Sequence, residues 1–273
     1  MFSRPEERPV GWVERWPALK FTTDSAAIAD AELIKIFRDP TELFSRAVQP
    51  VLWLAVFGQV FSQIRGIPTG DVSYLAFMTP GILAQSVLFS AIFYGLAVIW
   101  ERDLGIVHKL LVTPGSRGAL VLGKAISAGL RGIVQAVIIY LVALALRIGI
   151  RWEFFAVAGV LSGVILGSAI FSTFSLIIAC IVKTRERFMG IGQVLTMPLF
   201  FASNAIYPLE LMPDWLKSIA AVNPLTFLVD VLRGLMIEGG RSTHSLAVDF
   251  GVMAVVFLLL VSIAARLYPT LAR

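Results

Sequence analysis

Long stretches without a charged residue limit the folds available to this chain more than any other feature. They cover residues 47–64, 72–100, 154–182 and 188–209. A membrane-spanning helix needs about 20 apolar residues, and backbone polar groups in lipid must be satisfied internally. Continuous apolar runs without period-two alternation favour helices over strands. Only 15% of the residues are charged, against about 25% in soluble domains. The sequence therefore predicts an all-α, polytopic integral membrane protein.

Six spans are predicted, in one transmembrane domain that covers residues 24–273 and follows a cytoplasmic tail, 1–23. Residues 24–39 form an amphipathic pattern on the basic side of the first span, which favours a helix lying in the membrane interface over an ordinary cytosolic helix. The predicted spans are residues 44–64, 73–99, 120–147, 154–182, 188–208 and 246–267.

The distribution of Lys and Arg predicts the orientation. Of the 23 basic residues, 16 fall in the tail, in the loops after spans 2 and 4 and at the C-terminus, and six fall on the other side. Positive loops are retained in the cytoplasm, so both termini are expected there, with the chain multi-pass in the plasma (inner) membrane. The net charge of +5 follows from this bias and from contact with anionic membrane lipids, so no nucleic-acid partner is predicted.

The segment between spans 5 and 6 is predicted to be a re-entrant helical hairpin over residues 210–237 on the extracytoplasmic side. One helix should start at Pro213-Asp214-Trp215 and end before Asn223-Pro224. Asp230 and Arg233 interrupt the second apolar piece, which is too short and too charged to cross the membrane alone.

The loop after span 2 reads E-R-x-x-G-x-x-x-x-L-L-x-T-P-x-S-R and continues to a G-K pair. This pattern resembles the type-2 ABC exporter permeases, among them the drug-resistance and nodulation-signal permeases. A second stretch, M-P-x-W-L…N-P-L-T-F…R-G-L, resembles the same family in the segment that closes the outer side. The resemblance implies a coupling helix at residues 101–114 that docks on an ATPase. The coupling residues implied are Glu101, Arg102, Asp103, Gly105, His108, Leu110, Leu111, Thr113 and Pro114, and the outer-gate residues are Pro213, Trp215, Asn223, Pro224 and Arg233.

The resemblance also implies the assembly and its energy source. Two copies of the permease would pair, and two copies of a separate ATP-binding subunit would bind ATP and Mg²⁺. No cofactor is expected in this chain. The substrate would be amphipathic: a drug, a lipid or a lipid-linked glycan. The alternative is a stand-alone secondary carrier, which would need an ion site near mid-membrane, and a membrane-bound enzyme is a weaker alternative.

Four-residue spacing places polar and aromatic side chains of span 1 on one face. This stripe is either a packing or lipid-facing surface or, together with residues of span 5, the wall of a substrate path. The path residues of this hypothesis are Gln49, Trp53, Phe57, Phe61, Phe200, Phe201 and Asn204.

Other chemistry is poorly supported by the residues. The sequence from Gly118 to Ala125 nearly matches a phosphate-binding loop, but Ala125 lacks the hydroxyl that Mg²⁺ requires. We expect Lys124 instead to anchor span 3 at the headgroups. No metal site is predicted, because His108 and His244 fall on opposite sides of the membrane, and Asp249 is interpreted as a helix-start residue. No catalytic set of residues is visible.

The glycines at positions 159, 163 and 167 form a small-residue ridge on span 4. Such a ridge allows another helix to approach closely. Packing within one protomer is favoured over a dimer contact.

Overall fold

The computed structural model describes residues 48–62, 72–104, 117–182 and 184–268. Within these ranges the regular structure consists of helices, with a short 3₁₀ turn at Leu209–Leu211. We number the helices α1 (Val48–Ser62), α2 (Tyr74–Asp103), α3 (Arg117–Ala145), α4 (Phe154–Ile181), α5 (Arg185–Phe201), α6 (Asp214–Ala220), α7 (Pro224–Met236) and α8 (Leu246–Leu267).

Four of the described helices are long and apolar enough to cross a membrane: α2, the part of α3 from Val121 to Ala145, α4 and α8. The pair α6 and α7 adds a fifth span if the two helices cross together. The all-helical polytopic class is thus confirmed, whereas the number six is not. α5 ends at Phe201, before the predicted end of the span at 208, and the described α1 falls within the predicted span 44–64, whose ends lie outside the described residues. The predicted interfacial helix at 24–39 lies outside the described residues.

The bend between α6 and α7 falls where the sequence predicted a helix break. The two axes differ by 79°. Asn223 caps α7 by accepting a hydrogen bond from the Leu225 amide at 3.0 Å, and Pro224 occupies the first turn, where its missing N–H is not needed. The side-chain nitrogen of Asn223, Nδ2, also donates to the main-chain carbonyls of Leu199 and Ala202, at 2.7 and 3.0 Å. The bend is therefore held against the end of α5.

α4 is the central helix and packs against α2, α3, α7 and α8. The predicted glycine ridge accounts for one of these contacts. A Cβ added at Gly163 would lie 3.0 Å from Val231 Cγ1, and one at Gly167 would lie 2.6 Å from Leu228 Cδ2. Gly159 faces Leu235 in the same way. All three partners lie on α7, so the favoured prediction of packing within one protomer is confirmed.

Two sets of loop contacts show which loops share an end of the helix bundle. Asp103, at the end of α2, forms an ion pair with Arg185, at the start of α5. At the other end, the Arg151 amide donates to the Met236 carbonyl at 2.9 Å, which joins the α3–α4 loop to the end of α7. This grouping agrees with the loop pairing in the predicted topology. The Lys/Arg asymmetry remains the basis for calling the first end cytoplasmic.

Candidate functional site

A charged cluster joins the end of α2 to the start of α5. Asp103 accepts hydrogen bonds from Arg185 through Nε at 3.1 Å and Nη2 at 2.9 Å, and its other oxygen accepts from Arg102 Nη2 at 3.0 Å. The Arg185 guanidinium also lies over the Trp100 ring, 3.9 Å from its centroid. Both Arg185 nitrogens donate to the same oxygen of Asp103, so the two residues form a charge-assisted ion pair at the partly exposed surface. Arg102 and Asp103 were predicted coupling residues, whereas Arg185 and Trp100 were not.

Glu101 lies in a different environment from its two neighbours. Its carboxylate accepts a hydrogen bond from Lys124 Nζ at 2.7 Å, and the two side chains are only 12% and 5% exposed. This pair links α2 to α3 inside the bundle. The prediction that Lys124 anchors span 3 at the headgroups is wrong, because its ammonium group is buried against Glu101.

The rest of the predicted coupling helix, which comprises Gly105, His108, Leu110, Leu111, Thr113 and Pro114, lies outside the described residues. Their role stays a prediction. The near match to a phosphate-binding loop begins one residue after α3 starts at Arg117, so its backbone is helical rather than a loop. From the fifth residue of the helix onward the amides bond within the helix, so those of residues 121–125, which include the Gly-Lys pair, are not directed at a phosphate.

The aromatic stripe predicted on α1 is a stack of rings. Trp53 and Phe57 stack with centroids 4.5 Å apart, and Phe57 and Phe61 follow at 6.4 Å. Four residues of an α-helix advance about 40° beyond a full turn, so such a stripe normally drifts around the helix. Here Trp53–Gly58 forms a π-helical turn, which is wider and offsets that drift. Gln49, at the start of the stripe, is exposed beside a cavity.

The stripe meets α5 within the protomer. Trp53 contacts Phe200 edge-on at 6.3 Å, and Phe200 contacts Phe201 at 5.4 Å. Phe200 is 1% exposed, whereas Phe57 and Phe201 are each 45% exposed. Phe200 is therefore a core residue. The exposed aromatic surface consists of the rings of Phe57 and Phe201.

Two cavities flank α2 and add residues that the sequence prediction missed. One, of about 180 Å³, lies between α1 and α2 beside Gln49, and the other, of about 200 Å³, lies between α2 and α5. Phe89 and Phe93 line both, and Gln85 lines the first. These three residues have the same four-residue spacing as the α1 stripe. That spacing was a signal that could have revealed them.

At the opposite end of the bundle, Arg233 joins α7 to two other elements. Its Nη2 donates to the Asn204 carbonyl at 2.6 Å and to the Phe77 carbonyl at 3.5 Å, and its guanidinium lies 3.8 Å above the Phe77 ring. The side-chain amide of Asn204 is buried, with no hydrogen-bond partner among the residues that the structure describes. Both residues line a cavity of about 250 Å³.

The other predicted outer-gate residues surround the α6–α7 bend. Pro213 precedes α6, and Trp215 in its first turn is 65% exposed. Asn223 is buried, and Pro224 begins α7.

Comparison with known proteins places this architecture in a family. The model of the ABC-2 type transporter family matches residues 24–237. The chain is 31% identical to a putative transport permease, ycf38, of Cyanophora paradoxa over 74% of this chain and 70% of that one. It is 26% identical to nodulation protein J of Bradyrhizobium diazoefficiens, covering 76% and 78% of the two chains. It is 29% identical to the probable multidrug ABC transporter permease YbhR of Escherichia coli K12, covering 64% and 47%.

Permeases of this family are transport subunits that normally pair with an ABC ATPase subunit. The match covers the predicted interfacial segment, the charged cluster between α2 and α5, the aromatic stripe and the α6–α7 bend. The chain therefore belongs to the ABC-2 type transporter family and is a membrane permease component of an ABC transporter.

Proposed function

We propose that the protein is the permease of an ATP-driven exporter that moves an amphipathic substrate outward across the plasma membrane. Two copies would form the transport unit, each with one ATPase subunit that binds ATP and Mg²⁺. Both termini would lie in the cytoplasm. The relative named as a probable multidrug permease supports an amphipathic drug as substrate, and a lipid or a lipid-linked glycan are the alternatives that the family resemblance implies.

The observation that carries the proposal is the paired bond between Asp103 and Arg185. Asp103 lies in the first turn of the predicted docking segment, residues 101–114, and Arg185 is the first residue of α5. A displacement of the docking segment is thereby transmitted to the helix that carries Phe200 and Phe201 at its other end. Closure of the ATPase pair would move α5 against the aromatic stripe of α1.

The composition of the path agrees with such a substrate. The surface between α1, α2 and α5 is rich in aromatic side chains, with sparse amides at Gln49, Gln85 and Gln193. Aromatic side chains offer large apolar faces, and isolated amides orient a polar group without excluding varied ligands. This surface lies beside the exposed rings of Phe57 and Phe201, where a second copy would complete the passage.

The α6–α7 pair would act as a re-entrant hairpin that closes the outer side. Its bend is held by Asn223 against α5, and Arg233 holds α7 against α2 and the residues after α5. Movement of α5 would therefore reach the outer closure directly. A substrate released from the path would leave past Arg233.

The coupling step is tested with Asp103→Asn and Arg185→Gln, measured with the cognate ATPase subunit in inside-out vesicles. We expect both variants to insert and to co-purify with the ATPase, because an exposed ion pair contributes only about 0–1 kcal/mol to stability. Transport per ATP hydrolysed should fall several-fold. Arg187→Gln, an exposed change on the same turn, is the matched control and should transport normally.

Wild-type coupling in both variants would contradict the assigned connection between docking segment and path.

The energy source is tested in the same vesicles. Transport should require ATP and the ATPase subunit and should persist when an ionophore removes ion gradients. Transport without the ATPase that stops on ionophore addition would instead establish the secondary carrier.

The path is tested by comparing two phenylalanines that contact the same tryptophan. Phe57→Ala removes a half-exposed ring and should change export rate or substrate preference without lowering the yield of the permease–ATPase complex. Phe200→Ala removes a buried ring and should lower stability by about 3–5 kcal/mol, the range for core aromatic truncations. Normal export by Phe57→Ala across several substrates would remove α1 from the path.

A further inference from the structure

Three ionisable side chains from separate positions in the chain converge beside the outer end of α7. Asp230 lies on α7, His244 lies in the α7–α8 connection, and Asp249 lies in the first turn of α8. One potential ligand atom from each lies within 4.8 Å of the other two. His244 Nδ1 is 3.5 Å from an oxygen of each aspartate.

The carboxylate of Asp249 has no hydrogen-bond partner within the described part of the chain. Its side chain is fully buried, and neither carboxylate oxygen accepts a hydrogen bond there. Asp230, in contrast, accepts from the Thr243 amide and hydroxyl and from the His244 amide, at 2.6, 3.0 and 2.9 Å. Burying a carboxylate without a compensating partner costs free energy, so a positive group is expected beside Asp249. The described cluster contains no group that bonds to it.

The neighbouring cation does not supply that group. Arg233 is one turn along α7 from Asp230, but its donated bonds go to the main-chain carbonyls of Phe77 and Asn204. The 3.5 Å separation between His244 Nδ1 and Asp249 is longer than an ordinary N–H···O bond of 2.7–3.2 Å. The three side chains therefore face one another across a gap rather than bonding directly.

The gap has the dimensions of a tetrahedral metal site. Zn²⁺ binds imidazole nitrogen and carboxylate oxygen at about 2.0–2.2 Å, and ligands at these distances are separated by roughly 3.4 Å along a tetrahedral edge. Two of the three distances between ligand atoms in the cluster, those from His244 Nδ1 to the two aspartate oxygens, are 3.5 Å. One imidazole and two carboxylates, with a fourth position open, form a ligand set suited to Zn²⁺. Ca²⁺ requires six to eight oxygen ligands, and Mg²⁺ requires octahedral geometry.

We propose that Asp230, His244 and Asp249 bind one Zn²⁺ per chain at the extracytoplasmic end of α7 and α8. The ion neutralises the two buried carboxylates and connects the two helices. The His244 side chain is 41% exposed and provides the route of entry, and water occupies the fourth position. The hydrogen bonds from Thr243 and the His244 amide orient Asp230 as supporting bonds orient a metal ligand. The site is independent of the proposed transport cycle.

Binding is measured on the full chain without a histidine tag, purified in detergent and stripped with EDTA. Calorimetric titration with Zn²⁺ should give one site per chain, and bound Zn²⁺ should raise the thermal midpoint until EDTA is added. Co²⁺ bound in place of Zn²⁺ should show the intense visible absorption of tetrahedral coordination. Asp249→Asn and His244→Gln should each weaken Zn²⁺ binding at least tenfold.

Two matched changes serve as controls. His108→Gln removes the other histidine of the chain, and Asp214→Asn removes an exposed acid from the same outer segment. Both should bind Zn²⁺ like the wild type. Absence of a stoichiometric Zn²⁺ site in the wild-type chain, an octahedral Co²⁺ spectrum, or undiminished Zn²⁺ affinity in Asp249→Asn would each overturn the proposal. The wild-type Co²⁺ spectrum decides the question even if a variant fails to fold.

Discussion

The buried pair between Glu101 and Lys124 leads to a quantitative prediction. Their charged atoms are 2.7 Å apart, and both side chains are almost fully enclosed. At an effective dielectric of about 20, the attraction at that distance is roughly 6 kcal/mol. Much of this offsets the cost of removing both charges from water. Replacing one partner removes this attraction while the other charge stays buried, which costs about 3–5 kcal/mol.

We therefore expect Glu101→Gln and Lys124→Gln each to lower the thermal midpoint of the purified permease by roughly 6–20 °C, since each kcal/mol corresponds to about 2–4 °C in large domains. The double variant should recover most of this loss, because two neutral amides can hydrogen-bond and neither carries a buried charge. The six tryptophans allow unfolding to be followed by intrinsic fluorescence in detergent. Glu186→Gln, an exposed acid in the first turn of α5, is the matched control and should unfold like the wild type.

An unchanged midpoint in Glu101→Gln would refute the assignment of a buried, energetically coupled pair. So would a double variant whose loss equals the sum of the two single losses. The same double variant tests the predicted coupling role of Glu101. If it recovers stability and also transport, Glu101 acts by bracing α2 against α3. If it recovers stability alone, the carboxylate itself is needed for coupling.

Two further predictions concern packing and sidedness. A Cβ at Gly81 would lie 2.1 Å from the Ala205 carbonyl oxygen, so Gly81→Ala should destabilise the chain by about 1–3 kcal/mol in thermal unfolding, whereas Gly190→Ala, with open space around it, should be neutral or slightly stabilising. Sidedness is tested with single cysteines at two exposed positions, in a background with Cys180 replaced by alanine. Ser218→Cys should react with an impermeant thiol reagent added outside, and Thr184→Cys should react only after permeabilisation. The reverse pattern would reject the predicted topology.

Several features of the fold were predictable because their cause is local in the chain. Apolar runs identify membrane helices since hydrophobicity acts on each segment separately. The break at Asn223-Pro224 was correctly placed because a capping amide and a proline act on their own backbone. The glycine ridge on α4 was recognised from its spacing, although only the structure identified α7 as its partner.

The sequence was less informative about α1 and α5. The ends of the predicted span 44–64 lie outside the described residues, and α5 ends at Phe201, before the predicted end at 208, because an apolar run does not reveal where a helix ends. Ala202 is no longer helical, although the residues that follow are mostly uncharged. The count of six spans consequently remains a prediction.

The class of the protein, the grouping of its loops and its family follow from the amino-acid sequence alone, since apolar runs, basic-residue bias and short motifs are properties of neighbouring residues. Which distant charges meet became known only from the packing of the helices. Lys124 was predicted at the headgroups and instead pairs with Glu101, Arg185 bonds to Asp103 across 82 positions, and Asp249 faces His244 and Asp230. The physical reason is that helix packing places side chains by the rotation and approach of whole helices, which the spacing of residues within one helix does not specify.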